Sequence, residues 1–253
     1  MVRHFHPTYK DRIAAITDLI THFETKGERF DKRKRNSLKL FDLDEQTINV
    51  KSFKVPNIFN KIAYRYLRDS KAKRSFEFAT ILEEKGIGTP QPIAYFEEEG
   101  LLFGRSFYVS EHLKYDLTYR ELVKPSPYKG NVDILQAFSK FTYELHQKGV
   151  LFLDHSPGNT LIKIHPDHTY SFYLVDLNRM RFADQLTFKE RMLNFNRLSP
   201  HIDDVRIMAE AYALESNEAP ALVFEAMWEG VQNFQEGFRR KKALKKKLKF
   251  WKK

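Results

Sequence analysis

The chain has 253 residues, enough for one two-lobed core, and its apolar fraction of 42% and aromatic fraction of 14% are ordinary for a globular protein. The chain has no cysteine, which excludes a disulfide framework and a thiolate zinc site. It also has no apolar run long enough to cross a bilayer, which excludes a membrane span. Because Met1 to His6 lack the apolar core of a signal peptide, a cytoplasmic protein is expected. The formal net charge is +10, and residues 239–253 hold ten Lys or Arg and no acidic residue, so the rest of the chain is neutral.

The first part of the chain is predicted to form a short helical extension, residues 1–24, followed by a smaller lobe of strands and one helix, residues 25–111. At the start of this lobe, Gly27 to Asn36 contains one glycine and five basic residues. Cationic side chains in the basic segment 29–35 could bind the phosphates of ATP or an anionic acceptor. The same composition also fits a solvated basic turn between two strands.

A lysine on the next predicted strand is a candidate for binding phosphate. Thr47 to Val55 has the apolar and β-branched content of a strand and is closed by Pro56. The period of two places Lys54 on the same face as Val50, so we select Lys54, with Lys51 as the alternative. A lysine on a strand is otherwise usually a solvated surface group.

The segment that follows is predicted to form a helix capped by Asp69 or Ser70 and ended by Gly86. Glu77 lies inside its apolar stretch, between Phe76 and Phe78. Because a buried carboxylate needs a partner, Glu77 is predicted to form an ion pair with the strand lysine. The alternative is that Glu77 lies on an ordinary charged face of the helix.

Two strands, Gln91 to Phe96 and Leu102 to Ser110, are predicted around an acidic turn at residues 97–100, and Glu111 to Leu113 are predicted to cross into a second lobe, residues 112–238. A helix is expected to start at Asn131 and to end at Gly149. Its inward face consists of Ile134, Phe138, Phe141 and Leu145.

The segment after this helix carries the strongest functional signal. Asp154 is followed five positions later by Asn159, and Asp176 comes at the end of the next apolar strand. This spacing is typical of a kinase catalytic loop followed by a metal-binding strand end. Asp154 would orient the attacking hydroxyl, while Asn159 and Asp176 offer the hard oxygen ligands that Mg²⁺ prefers in complex with ATP. Taken alone, the loop residues also fit a simple turn.

Lys54, Glu77, Asp154, Asn159 and Asp176 occur in kinase order. The amino-acid sequence of the stretches 154–159 and 175–179 resembles that of the bacterial lipopolysaccharide kinase (Kdo/WaaP) family. The resemblance covers roughly residues 25 to 182. The resemblance implies an α+β, protein-kinase-like two-lobed fold, with an antiparallel sheet and one αC-type helix in the N-lobe and a mostly helical C-lobe. It also implies that ATP and Mg²⁺ are used to phosphorylate a hydroxyl of a lipid-linked inner-core sugar, Kdo or heptose. Lys54, Glu77, Asn159 and Asp176 would then bind the nucleotide and its metal.

The sequence departs from the usual kinase pattern at three places. Phe152 and Leu153 stand where His-Arg usually precedes the catalytic aspartate, Asp-Phe-Gly is replaced by Asp176-Leu177-Asn178, and the glycine-rich lid is absent. The same residues would also suit a kinase of small molecules or of proteins. The missing lid leaves open a third interpretation, a membrane-docked pseudokinase that binds nucleotide as a scaffold.

The tail, residues 239–253, interleaves its basic residues with Leu244, Leu248, Phe250 and Trp251. This pattern is typical of a basic amphipathic helix on an anionic membrane, and it predicts a peripheral protein at the inner face of the cytoplasmic membrane. A nucleic-acid-binding arm and a disordered solubilising tail are the alternatives. No nucleic acid is expected as a partner because the body shows no base-stacking platform.

Overall fold

The computed structural model describes the chain except for residues 31–35, 56, 58–63, 65–67, 99, 101, 125–127 and 251–253, together with the side chains of 247–250. Several expectations therefore lie outside the described residues: most of the basic segment 29–35, the strand-closing Pro56, one residue of the acidic turn, and Trp251. The described chain forms two compact units. The first comprises Met1–Lys114 and Leu174–Arg179, and the second comprises Tyr115–Tyr173 and Met180–Lys253.

The first unit contains a six-stranded antiparallel sheet in the order β1-β5-β6-β4-β3-β2. Its strands are β1 (Val2–Phe5), β2 (Glu28–Arg29), β3 (Ser37–Leu43), β4 (Gln46–Phe53), β5 (Pro92–Glu97) and β6 (Ser106–Glu111). A two-residue turn joins β3 to β4, and Asp44 accepts the left-handed conformation there with φ 54°. Every strand of this sheet alternates its side chains between two faces.

A helix packs against each face of this sheet. On one face, α1 (Ile13–Thr21) buries Ile16 and Ile20 against a cluster that includes Ile48 and Val50 of β4. The other face holds the cluster of Phe53, Ala72, Phe76 and Tyr95, where α2 (Lys71–Glu84) packs on the strands. The two faces of β4 therefore have different neighbours, and its one lysine, Lys51, lies on the same face as Phe53.

The predicted boundaries of α2 are confirmed. Ser70 is the N-cap, and its hydroxyl accepts a hydrogen bond from the backbone N–H of Lys73 at 3.1 Å. Gly86 follows the helix with φ 63°, the left-handed conformation in which glycine carries no steric penalty. These two positions set the start and the end of the helix beside the sheet.

The N-terminal residues differ from the expected helical extension. The helical part of the extension consists of a 3-10 helix, Pro7–Arg12, and of α1, whereas Val2–Phe5 is a strand that pairs with β5 in the register Val2↔Glu97 to Phe5↔Ala94. A four-residue strand has too few residues for a clear period-two signal. It forms here because the edge of β5 offers unpaired backbone groups, a non-local cause that the local sequence does not encode.

The second unit is mainly helical. It contains α3 (Asn131–Gln147), α4 (Phe188–Leu193), α5 (Ile202–Ser216) and α6 (Pro220–Phe250). Helix α3 starts at Asn131 as predicted, and Ile134 and Phe138 lie in the core with Met208 and Tyr212 of α5. Leu145 is also fully buried. The predicted tail is not a separate segment, because α6 continues without a break through residue 239. None of the described helices combines the length and the apolarity that crossing a membrane requires.

Short strands frame the catalytic-loop segment of this unit. A two-stranded sheet joins β8 (Val150–Phe152) to β11 (Met180–Phe182), and a three-stranded sheet has the order β10-β9-β7. The members of the second sheet are β7 (Leu117–Thr118), β9 (Thr160–Ile164) and β10 (Tyr170–Leu174). Residues 153–159 connect β8 to β9, so both ends of the loop that carries Asp154 and Asn159 are fixed by strands.

Gly149 supplies the sharp turn between α3 and β8. Its φ is 70°, and a Cβ placed there would lie 1.8 Å from the carbonyl oxygen of Ala183. Gly130, before α3, has a similar φ of 87°, but a Cβ at that position would have no other atom within 4 Å. The two glycines therefore share a backbone requirement and differ in the space around them.

We expect Gly149→Ala to destabilise the protein far more than Gly130→Ala. Left-handed strain alone costs about 1 to 2 kcal/mol, which is the whole penalty expected at Gly130. The overlap with Ala183 must be relieved by moving backbone, so the loss at Gly149 should reach about 3 kcal/mol or more. Urea unfolding of both variants measures the difference, and equal losses would show that the close approach at Gly149 does not exist.

Candidate active site

Lys51 and Asp176 form the central ion pair of the first unit. The Lys51 Nζ lies 2.6 Å from Asp176 Oδ1, and the two side chains are 18% and 35% exposed. Lys51 projects from β4, opposite Tyr108 of β6. Asp176 lies two residues after β10, in a segment that is tied to the unit by hydrogen bonds from the Leu174 N–H to Gly88 and from the Thr89 hydroxyl to Leu174.

The surroundings of Asp176 keep its carboxylate ionised. Burial alone would raise the pKa of this carboxyl, but the charge of Lys51 and hydrogen bonds from Lys51 and Asn178 outweigh burial and hold the pKa below its usual value. Asn178 Nδ2 donates to Oδ1 at 2.7 Å, and Lys71 adds a further positive charge. Asp176 itself adopts φ 62°, a conformation that aspartate tolerates better than most residues.

The ion pair predicted between Lys54 and Glu77 is not formed in the described part of the chain. Strand β4 ends at Phe53, so Lys54 lies beyond the sheet and its side chain is exposed. The face of β4 that includes Ile48 and Val50 is filled by the α1 side of the core, whereas Lys51 lies on the opposite face. The expected position of the lysine was therefore wrong in two respects. It was placed on the face of β4 that carries Val50, and the strand was extended to Val55 although it ends at Phe53.

Glu77 lies off the buried stripe of α2. The residues of that stripe are Ala72, Ser75, Phe76, Ala79 and Leu82. Glu77 follows Phe76 by one position, which turns it about 100° around the helix. Its carboxylate is 3.7 Å from the Nζ of Lys73, an i,i+4 pair on the helix surface. Among the described residues, Glu77 thus has no part in holding a lysine of the sheet.

The catalytic-loop candidates belong to the second unit. Asn159 Nδ2 donates to the backbone carbonyl of Asp154 at 2.8 Å, and the Asn159 N–H donates to the Ser156 carbonyl at 2.9 Å. Because the amide nitrogen of Asn159 bonds within the loop, its Oδ1 is directed away from the Asp154 carbonyl and keeps its lone pairs. The structure thus brings Asp154 and Asn159 together in one loop, as it brings Lys51 and Asp176 together in the other unit.

Arg197 is a site residue that the sequence did not indicate. Its Nη1 donates to Asp154 Oδ1 at 2.6 Å, and its guanidinium lies 5.1 Å from the ring centroid of Phe234 on α6. Both members of the ion pair are about one third exposed. No motif surrounds Arg197, and its partner is 43 positions away, so only the tertiary fold could reveal the contact.

A buried chain of hydrogen bonds supports the strand that leads into the catalytic loop. It runs through Arg191, Tyr212, His146 and Asn194 to the carbonyl of Phe152, with donor-to-acceptor distances of 3.1, 2.9, 3.1 and 2.8 Å. Arginine can only donate and a carbonyl can only accept. Each group in between must therefore accept from the one before it and donate to the next, which places the hydrogen of neutral His146 on Nε2.

His146 is buried in this chain, and burial lowers its pKa from 6.5 to about 4, with the nearby charge of Arg191 acting in the same direction. His155, which follows Asp154, is also buried, between the rings of Phe138 and Phe152. Burial lowers the pKa of His155 to about 3, and its ring nitrogens have no hydrogen-bond partner among the described residues. Both imidazoles are neutral at pH 7.

Asp176 of the first unit and Asn159 of the second unit each carry an oxygen of the kind that Mg²⁺ prefers. Asp176 offers an ionised carboxylate and Asn159 an amide oxygen, the hard ligands that Mg²⁺ accepts while it keeps several waters and phosphate oxygens. No group of three or more His, Asp or Glu residues in the described ranges is placed to hold a metal ion by itself. The protein ligands alone therefore do not make a complete metal centre.

The comparison with solved structures agrees with the fold prediction. The antiparallel sheet with a helix packed on each face in the first unit and the helical second unit define a protein-kinase-like fold. A solved structure described as WaaP in complex with acyl carrier protein matches with a TM-score of 0.61 and 14% sequence identity, over 95% of this chain and 99% of that chain. No protein-family model and no curated protein matches the sequence. The kinase-like fold is thus confirmed, by structure rather than by sequence similarity.

The buried His146 predicts a specific loss of stability in acid. An unfolded histidine gains its proton near pH 6.5, whereas the folded His146 gains it only near pH 4. The contribution of neutral His146 to the free energy of unfolding is therefore fully present above pH 6.5. It declines by up to about 3 kcal/mol as the pH falls towards 4.

We expect His146→Gln to be less stable than the wild type at pH 7 but to lose less stability between pH 6.5 and 4. Exposed His201 supplies the matched control, so His201→Gln should keep the wild-type dependence. Urea unfolding at a series of pH values measures all three proteins. Parallel curves for the wild type and His146→Gln would rule out a buried neutral imidazole at this position.

Proposed function

We propose that the protein is an ATP- and Mg²⁺-dependent kinase that phosphorylates a hydroxyl of a lipopolysaccharide inner-core sugar, Kdo or heptose. The observation that carries the proposal is the Lys51 to Asp176 ion pair within a kinase-like fold. Without nucleotide, a lysine that binds phosphate and a carboxylate that binds metal can neutralise each other. The sugar class comes from the family resemblance, and the structural neighbour carries the name WaaP of that same family.

In this reaction Asp154 accepts a hydrogen bond from the acceptor hydroxyl and then takes its proton. The hydroxyl oxygen forms a bond to the γ-phosphorus of ATP while the bond from that phosphorus to the bridging oxygen breaks, and ADP leaves with the bridging electrons. Lys51 compensates the charge of the phosphates from its position on β4. Asn159 and Asp176 would hold Mg²⁺, which when bound neutralises charge on the phosphate oxygens.

Two rival functions use parts of the same site. A kinase of small molecules or proteins would require the same residues with another acceptor. A nucleotide-binding pseudokinase is favoured by one specific observation, that Glu77 pairs with Lys73 and not with a lysine of the sheet. A scaffold would bind nucleotide without transferring phosphate, so measurement of transfer separates it from an enzyme.

We expect Asp154→Asn to lower phosphate transfer from ATP to a Kdo-containing lipid A precursor by about 10²- to 10⁴-fold, the usual loss when a positioned base is removed. Binding of ATP should be unchanged. Asp203→Asn, an exposed aspartate in the first turn of α5, serves as the matched control and should retain wild-type activity. Equal background rates for all three proteins would overturn the enzyme and favour the scaffold. Labelling of peptides alone would reassign the acceptor.

We also propose that the end of α6 attaches the protein to the inner face of the cytoplasmic membrane. The last core residue of α6 is Val231, and from 239 to 246 the described side chains are exposed, including Leu244 at 63%. Leu244 is therefore an exposed apolar side chain in a stretch of the helix that is otherwise rich in lysine. Each basic residue near anionic lipid contributes about 1 kcal/mol.

Replacement of Lys241, Lys242, Lys245 and Lys246 by Glu should abolish sedimentation with vesicles that contain anionic phosphatidylglycerol. Neither the wild type nor this variant should sediment with neutral phosphatidylcholine vesicles, which provide the control for lipid charge. The structural neighbour is in complex with acyl carrier protein, so that protein is the alternative partner for this helix. It is added to the same sedimentation assay to test whether it competes with the vesicles. Unchanged sedimentation of the variant would refute attachment by this helix.

A further inference from the structure

Arg197 is held in a fixed orientation next to the proposed catalytic carboxylate. One edge of its guanidinium bonds Asp154 Oδ1 at 2.6 Å, and the ring of Phe234 lies 5.1 Å from its centre. An arginine that is oriented by an aromatic ring and a carboxylate has lost much of the side-chain freedom that it would otherwise give up on binding a ligand. Such an arginine is prepared to bind a further group.

The ion pair leaves hydrogen-bonding capacity on both partners. Within the described ranges, no residue donates to Oδ2 of Asp154, and Nη1 is the one guanidinium nitrogen of Arg197 that has a hydrogen-bond acceptor. The side chains are 34% and 31% exposed, so a ligand can reach both. The free oxygen suits a hydroxyl, while the remaining N–H groups suit an anion such as a carboxylate.

We propose that Arg197 recognises a carboxylate on the acceptor, next to the hydroxyl that is phosphorylated. This inference rests on the proposed function and narrows its substrate class. Of the two sugars considered, Kdo is a sugar acid and heptose is neutral. A bidentate arginine beside the catalytic carboxylate therefore selects Kdo and disfavours heptose.

A purely structural role for Arg197 makes a different prediction. If the arginine only held Asp154 in place, its loss would weaken the reaction with acidic and neutral acceptors by the same factor. If it binds the acceptor carboxylate, its loss must remove the preference for the acid, because only the acid loses a charge-assisted hydrogen bond. The comparison of an acid with its neutral ester thus separates the two roles.

Equilibrium binding to the full chain tests the proposal, with free Kdo and Kdo methyl ester as probes. The wild type should bind Kdo about 10- to 100-fold more tightly than the ester. Arg197→Gln should bind both equally weakly, and Arg197→Lys should keep part of the preference. Arg206 lies 4.4 Å from the ring of Phe224 on the same unit but has no carboxylate partner among the described residues, so Arg206→Gln is the matched control and should behave as wild type.

The proposal would be overturned if Arg197→Gln still preferred the acid to the ester. It would also be overturned if the wild type showed no such preference. Thermal unfolding of the variants shows whether Arg197→Gln is folded, and the lysine variant retains the charge if it is not. A parallel measurement of phosphate transfer from MgATP keeps the two proposals apart. Selective binding of Kdo without phosphate transfer would overturn the kinase function and leave the recognition site. Phosphate transfer to heptose without selective binding of Kdo would overturn the recognition site and leave the kinase function.

Discussion

The ion pair between Lys51 and Asp176 is the constraint on which the account of the first unit depends. A lysine and a carboxylate that are both partly withdrawn from water lose hydration, and each needs the other as long as no ligand is present. The attraction also holds the pKa of Asp176 below its usual value, so the carboxylate is ready to accept a metal ion without first losing a proton. A magnesium nucleotide would satisfy both charges separately.

The second unit meets a different requirement, the rigidity of a short loop. Strands fix both ends of residues 153–159, and the hydrogen-bond chain that ends on the Phe152 carbonyl fixes the strand that leads into it. Every group in that chain has one possible direction of donation, so its members support one arrangement of the loop. Arg197 then orients the carboxylate of Asp154 itself. Positioning of this kind is the main contribution that a protein makes to phosphoryl transfer.

Local signals in the sequence predicted the parts of the fold that local chemistry determines. The cap at Ser70, the start of α3 at Asn131 and the kinase-like order of the elements were all readable from residue types and spacing. Lys54 was expected on β4 and beside Glu77, and both expectations were wrong because the end of β4 depends on where its partners stop pairing. Likewise, β1 and Arg197 depend on contacts between residues far apart in the chain, for which one sequence holds no signal.

The binding of MgATP to Lys51→Met and Lys54→Met, measured by isothermal titration calorimetry, tests whether Lys51 is the lysine that binds phosphate. Lys51 on β4 should be the lysine that binds phosphate, so Lys51→Met should weaken the affinity by about 10- to 100-fold, the value of one or two charge-assisted hydrogen bonds. Lys54→Met changes an exposed lysine three positions away and should bind MgATP as the wild type does. A loss confined to Lys54→Met, or equal affinities for all three proteins, would contradict the role assigned to the Lys51 to Asp176 pair.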